Sequence, residues 1–279
     1  MILSFATSSQ SGLALWSLLG FSGAAALGYA VTVLKAHASA PQPLVLQHAL
    51  LLAWLAHAAA LLIDIAGIGL VDPGARFGFA PALSMTLWLV LGVYMVESRL
   101  LPLPGVKRVL SALGLVVVVL ACIFPGESRP QAGSPWAPLH WVLGLASYGL
   151  FGVAVLHAAL LNMAERQMRL KKAPAAGAMG LPLLRLERLT FQFVAAGVCM
   201  LSLAIALGWW FTPHWRWDHK NLLSMLGWLV LSSLLAGRQV FGWRGRRATR
   251  WLYLGAGLLL LAYVGSRFVL EVLLQRPLN

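Results

Sequence analysis

Charge is what this sequence has least of. Only 10% of its 279 residues are charged, against about 25% in soluble domains. That shortage excludes an ordinary soluble globule. A 60% hydrophobic content excludes a disordered or collagen-like chain. There are two cysteines, Cys122 and Cys199. Neither a disulfide framework nor a CxxC redox site can be built from them, and both are read as small core residues inside apolar runs. Strict apolar–polar alternation is missing, which excludes an outer-membrane barrel. So are a Walker motif, a GxSxG elbow, an HExxH pair and an EF-hand loop. With no recognisable nucleophile and base, the chain is not read as an enzyme. Paired carboxylates at helix centres and a clear inverted repeat are lacking too, which argues against a transporter.

What is present is a series of apolar runs and a mean hydropathy of +0.81. Runs of about 20 apolar residues match the thickness of a bilayer core, where only helices and closed barrels satisfy every backbone group. The fold expected is all-α: a polytopic membrane protein with a bundle of eight transmembrane helices. Their spans are roughly 11–34, 44–70, 79–97, 106–124, 139–163, 189–211, 221–240 and 250–273. Pro41, Pro43, Pro73-Gly74, Pro102, Pro104, Pro125-Gly126 and Pro213 punctuate the breaks. The whole chain, 1–279, is read as one integral membrane domain. Helix one has no basic region before it and is too long for a signal peptide, so it is read as retained.

The net charge of +13 does not point to nucleic acid, because the basic residues sit between the apolar runs. Lys35, the loop after helix three, the stretch 164–188 and the stretch 238–250 hold fifteen of the 21 basic residues. All four lie on one side of an eight-helix path. The positive-inside rule makes that side cytoplasmic, so 164–188 is expected to be a basic cytoplasmic loop and both termini to lie outside.

Few polar groups fall within the spans, and each is a functional candidate. His57 lies near the middle of helix two, with Asp64 about two turns on along the same face and His48 facing the other way. His57 either makes an interhelical hydrogen bond or is an axial ligand to a metal cofactor. His140 opens helix five at the outer surface beside Trp141, an interfacial aromatic, and its plain reading is a headgroup contact. His157, about 25 Å further along the helix, is expected to be a satisfied interfacial residue. The segment 209–221, WWFTPHWRWDHKN, holds four tryptophans. Trp209 and Trp210 read as an aromatic belt. Trp215 and Trp217, with Arg216, Asp218, His219 and Lys220 beside them, suit a flat apolar ligand that carries carboxylates. Arg267 in helix eight either snorkels, the preferred reading, or pairs with Glu271 at i+4.

These segments resemble a known family. HWVLGLASYGLF (140–151) is similar to the helix-opening His and Ser-Tyr pattern of cytochrome c assembly membrane proteins of the CcsA/CcmC type. WRWDHKN (215–221) resembles a reduced form of their tryptophan-rich haem-handling motif. His57, GWRGRRA (242–248) and YVGSRF (263–268) place the resemblance in the HemX/YpjD-like subgroup. The resemblance implies a haem-binding inner membrane bundle whose tryptophan-rich segment faces outward. Carried over, His140 and His57 match the histidines, and Trp215, Trp217 and Asp218 match the motif. Where the family has Pro-Lys-Glu after the Asp, this chain has His219-Lys220-Asn221. It also has no histidine after the last helix.

Two readings follow. In one, the protein binds haem through His57 and His140 as axial ligands, with the loop tryptophans and Arg216, Lys220 or Arg267 supporting the ring and its propionates, and serves cytochrome complex assembly. In the other, it is a cofactor-free membrane scaffold or regulator of haem biosynthesis, whose basic inner stretches bind haem-pathway proteins or anionic lipids.

Overall fold

A computed structural model describes residues 12–36, 44–68, 75–99, 104–129, 136–170, 183–211 and 217–274. Among them are eight helices long and apolar enough to cross a membrane. Their surfaces carry large exposed apolar side chains such as Leu13, Leu34, Leu184 and Trp210, each more than 70% exposed. Soluble monomers rarely present such a surface to water. The chain is an all-α polytopic membrane protein.

Its helices group into two units, Met1–Gly133 and Ser134–Asn279. The first holds α1 (Gly12–Lys35), α2 (Leu44–Ile65), α3 (Phe79–Glu97) and α4 (Pro104–Ile123). It also holds a short antiparallel pair, β1 (Ala75–Phe77) and β2 (Glu127–Arg129), with Arg76 opposite Ser128. The second holds α5 (Ala137–Arg169), α6 (Leu183–Phe211), α7 (His219–Phe241) and α8 (Gly245–Leu273). The helices thus group four and four.

Most spans lie where the apolar runs put them, and the departures have local causes. α2, expected to reach residue 70, stops at Ile65. Gly67 takes φ +62°, with Gly67 N–H donating to the Asp64 carbonyl and Ile68 N–H to that of Ile63. This is the left-handed cap that satisfies the last carbonyls of a helix. The stretch 164–188 is not all loop: α5 runs on to Arg169 and α6 starts at Leu183. Polar residues suit a helix as well as a loop once the chain leaves the apolar layer. Residues 171–182 lie outside the described part. Cys199 is exposed, not a core residue, and Cys122 is half-buried; in a membrane helix an apolar run marks the lipid-facing side as much as the interior.

In the first unit, Trp54 and Trp88 tie α2 to α3. Each indole N–H donates to the other residue's carbonyl, at 2.9 and 3.1 Å, and the rings stack at 4.6 Å. Buried Arg76 clasps the strand end, with Nη1 at 3.2 Å from Asp64 Oδ1 and Nε donating to the Gly126 carbonyl at 2.8 Å. In the second unit, Phe151, Val194, Leu201, Leu231, Leu234 and Leu252 form the core of the four-helix group. α8 is not uniform. It widens into π-helical turns at Leu261–Gly265 and Val269–Leu273, and Tyr148 of α5 donates to the Leu259 carbonyl at 2.6 Å beside the first of them.

Candidate functional site

The second unit brings one end of each of its helices together: the start of α5, the end of α6, the start of α7 and the end of α8. His140 lies in the first turn of α5. Its Nδ1 is 2.8 Å from the Ala204 carbonyl of α6. A carbonyl only accepts, so Nδ1 carries the proton, and in the neutral ring Nε2 keeps the lone pair. The ring lies against α6 because residue 208 is glycine: a Cβ there would stand 3.0 Å from His140 Cε1 and 3.2 Å from Nδ1. Phe211 meets the imidazole edge-on at 5.6 Å. His48 and His157 bond a carbonyl of their own helix in the same way; the bond of His140 differs in crossing to a neighbouring helix, which fixes the ring against α6.

Around this end stand Trp217, 71% exposed, and Asp218, whose carboxylate accepts from Asn221 N–H at 2.8 Å and caps α7. Trp215, Arg216 and His214 lie outside the described residues. The Lys220 ammonium is 5.5 Å from the centre of the Tyr263 ring, and the Arg267 guanidinium is 5.7 Å from that same ring. Arg267 does not snorkel. It is 8% exposed and its Nη1 is 3.8 Å from Glu271 Oε1, in the stretch where α8 alternates between π and α turns. π turns recur at functional sites. Trp209 and Trp210 are 71% and 84% exposed, as a belt requires.

His57 belongs to the first unit and is 1% exposed. Tyr29 Oη is 3.0 Å from its Nδ1 and Ser84 Oγ is 2.7 Å from its Nε2. Both ring nitrogens are engaged, one donating and one accepting. His57 therefore joins α1, α2 and α3. As an iron ligand it would have to release a hydroxyl, at about 1–3 kcal/mol for the buried group left unpaired. Asp64, on the same face, pairs with Arg76, while His48 is exposed on the opposite face, its Nδ1 donating to the Leu44 carbonyl at 2.9 Å. His157 is buried and its Nδ1 donates to the Val153 carbonyl at 2.9 Å. His37 lies outside the described residues.

Sequence reasoning missed Tyr29, Ser84, Gly208 and Tyr263. Tyr29 and Ser84 were legible as polar groups within apolar spans, although their meeting was not. Tyr263 stood inside the YVGSRF stretch. Gly208 left no signal of its own. Among the described residues no three His, Cys, Asp or Glu converge on a metal. An all-protein cage is therefore lacking there, whereas a porphyrin, which brings four nitrogens of its own, needs only one or two imidazoles.

Comparison with known proteins puts this geometry in context. The inner membrane protein YpjD of Escherichia coli K12 is 34% identical over 167 residues, covering 58% of this chain and 63% of that protein. A 28.8 kDa uncharacterized protein of Azospirillum brasilense is 30% identical over 151 residues, 52% of this chain and 56% of its own length. Cytochrome c biogenesis protein CcsA of Synechococcus elongatus is 28% identical over 125 residues, 43% of this chain and 34% of its own. The match thus spans less than two thirds of each relative's length. No solved structure matches. The model of the family described as Cytochrome C assembly protein matches residues 13–274, nearly the full length and all eight helices. The chain belongs to the cytochrome c assembly protein family.

Proposed function

We propose that this protein handles haem in a bacterial inner membrane, in the service of cytochrome c biogenesis, with His140 as the iron ligand. The observation that carries this reading is the His140 imidazole, fixed through Nδ1–H to the Ala204 carbonyl with Nε2 as its lone-pair nitrogen. Haem, where bound, supplies a flat apolar ring, an iron that takes axial imidazole, and two propionates. The residues at this end suit those three parts. Exposed Trp217, with Trp215 two residues before it in the sequence, offers ring surface. Lys220, near Tyr263, supplies positive charge for carboxylates, while Arg267, beside the same ring, already faces Glu271. Asp218 sets the start of α7 and so the position of Lys220.

The paired-histidine site expected from the sequence is narrowed by this reading. Iron is assigned to His140, and His57 is assigned to the Tyr29–Ser84 hydrogen-bond network. The reading needs no chemical turnover by the protein itself. Its partners are membrane lipid and other assembly proteins, and its two termini are assigned to the outer side from the charge distribution. The names of the relatives support the membrane and the pathway: YpjD is an inner membrane protein and CcsA a cytochrome c biogenesis protein.

The test is an absorption spectrum of the full chain purified in mild detergent, oxidised and reduced, with His140→Ala and His57→Ala alongside. Stoichiometric haem that is lost or spectrally shifted in His140→Ala, and kept in His57→Ala, is the expected result. Protein that takes up no haem when haem is supplied during expression would favour the cofactor-free scaffold.

A further inference from the structure

The opposite end of the second unit carries an excess of positive charge that the haem reading does not use. Within 165–170, 183–188 and 238–250 there are nine arginines and two glutamates, Glu165 and Glu187. Glu187 already faces Arg244 at 3.7 Å. Arg246, Arg247 and Arg250 are exposed and have no acidic partner among the described residues.

The turn from α7 to α8 presents these cations from a rigid frame. Gly242 takes φ +64° and closes α7, its N–H bonded to the Arg238 carbonyl. Trp243 then folds back over Gly237, where a Cβ would collide with the indole. Its ring stacks on Trp251 at 6.0 Å and on Phe241 at 6.1 Å. The Arg247 guanidinium lies over that indole, 4.5 Å from its centre. Immediately beside the turn, Val240 and Phe241 are each 72% exposed, continuous with the lipid-facing surface of α7. The cations therefore stand where apolar surface gives way to polar, with stacked aromatics beside them, as is common at membrane interfaces.

We propose that the α7–α8 turn binds the phosphate of an anionic phospholipid headgroup, with Arg246 and Arg247 as its principal contacts. Guanidinium groups pair with phosphate through two parallel hydrogen bonds, and stacking on Trp243 holds Arg247 ready to do so. The exposed Val240 and Phe241 beside the charges lie at the end of a helix apolar enough to span a membrane, which favours a lipid over an acidic protein. Acyl chains cover them.

The test uses the purified full chain, delipidated in detergent and titrated with phosphatidylglycerol or phosphatidylcholine, with bound lipid counted by native mass spectrometry. The unaltered chain should retain phosphatidylglycerol in preference, and inorganic phosphate should not displace it. The double substitution R246Q/R247Q should weaken that binding about 25-fold, or about fivefold for each arginine beside an anionic headgroup. Removing equal charge from the end of α5, in R166Q/R169Q, should weaken it clearly less than R246Q/R247Q does, since those side chains lie on another helix and none is held over Trp243. R246Q alone, fully on the surface, repeats the test should the double variant fail to elute as a single species. Equal retention of both lipids, equal losses in the two double variants, or no loss in R246Q and R246Q/R247Q would overturn the proposal.

Discussion

At the residue scale, the two histidines expected as iron ligands, His57 and His140, differ in what their nitrogens already do. His140 uses one nitrogen on a backbone carbonyl, whereas His57 uses both on hydroxyls. The two substitutions should therefore fail differently. His57→Ala leaves the Tyr29 and Ser84 hydroxyls buried and unpaired, at about 1–3 kcal/mol each. A lowered thermal midpoint in detergent, with haem content unchanged, is the expected pair of results; unchanged stability would mean that the network is not needed. Asp218→Ala removes the cap of α7 and should cost about 1 kcal/mol, read as a small drop in that midpoint. The positions of both histidines could be read from the sequence. Their partners could not, since Tyr29 and Ser84 lie 28 and 27 residues from His57, and nothing local brings them together. Arg267 was misjudged for a related reason. Snorkelling assumes a side chain facing lipid, and this one faces inward with Glu271 beside it.

At the element scale, helix ends and glycines set the site. The sequence placed the helices well because an apolar run of bilayer length has few alternatives. It misplaced the end of α2, where Gly67 in the left-handed region outweighs an apolar run that continues past it. It also took helical ends at Arg169 and Leu183 for loop, because hydropathy falls where the helix leaves the membrane. Two elements carry predictions. Gly208→Ala puts a methyl group against the His140 ring, which must give by a few tenths of an ångström and so strains its bond to the Ala204 carbonyl. The expected outcome is a shifted or lost haem spectrum with α-helical content intact by circular dichroism. Arg76→Ala strips the buried Asp64 carboxylate of its partner and the Gly126 carbonyl of its donor. Breaking a buried pair on one side costs about 3–5 kcal/mol, so this variant should give a markedly lower yield of folded protein, while Asp64→Asn/Arg76→Met should recover part of it.

At the scale of the whole molecule, two four-helix units carry different polar interiors. The first encloses a closed hydrogen-bonded set, Tyr29–His57–Ser84, and the Asp64–Arg76 clasp. The second gathers a pinned histidine and two cations at one end and an excess of arginine at the other. The four-plus-four division was not legible in the sequence, since the charged stretch 164–188 is the more conspicuous break and lies within the second unit. The charge asymmetry was legible and sets the orientation expected. Single cysteines in a chain without Cys122 and Cys199 would check it. Trp217→Cys should react with a membrane-impermeant maleimide added to intact spheroplasts, and Arg246→Cys only after lysis; the reverse pattern would invert the proposed topology.

The central claim is that His140 Nε2 holds haem iron, and rescue tests it most directly. His140→Gly should be purified from cells supplied with haem, and its spectrum taken before and after free imidazole is added. The account predicts a weakened or shifted Soret band that imidazole restores toward that of the unaltered protein, and no such response in His57→Gly. A His140→Gly protein whose haem content and spectrum equal those of the unaltered chain, with no response to imidazole, would contradict it.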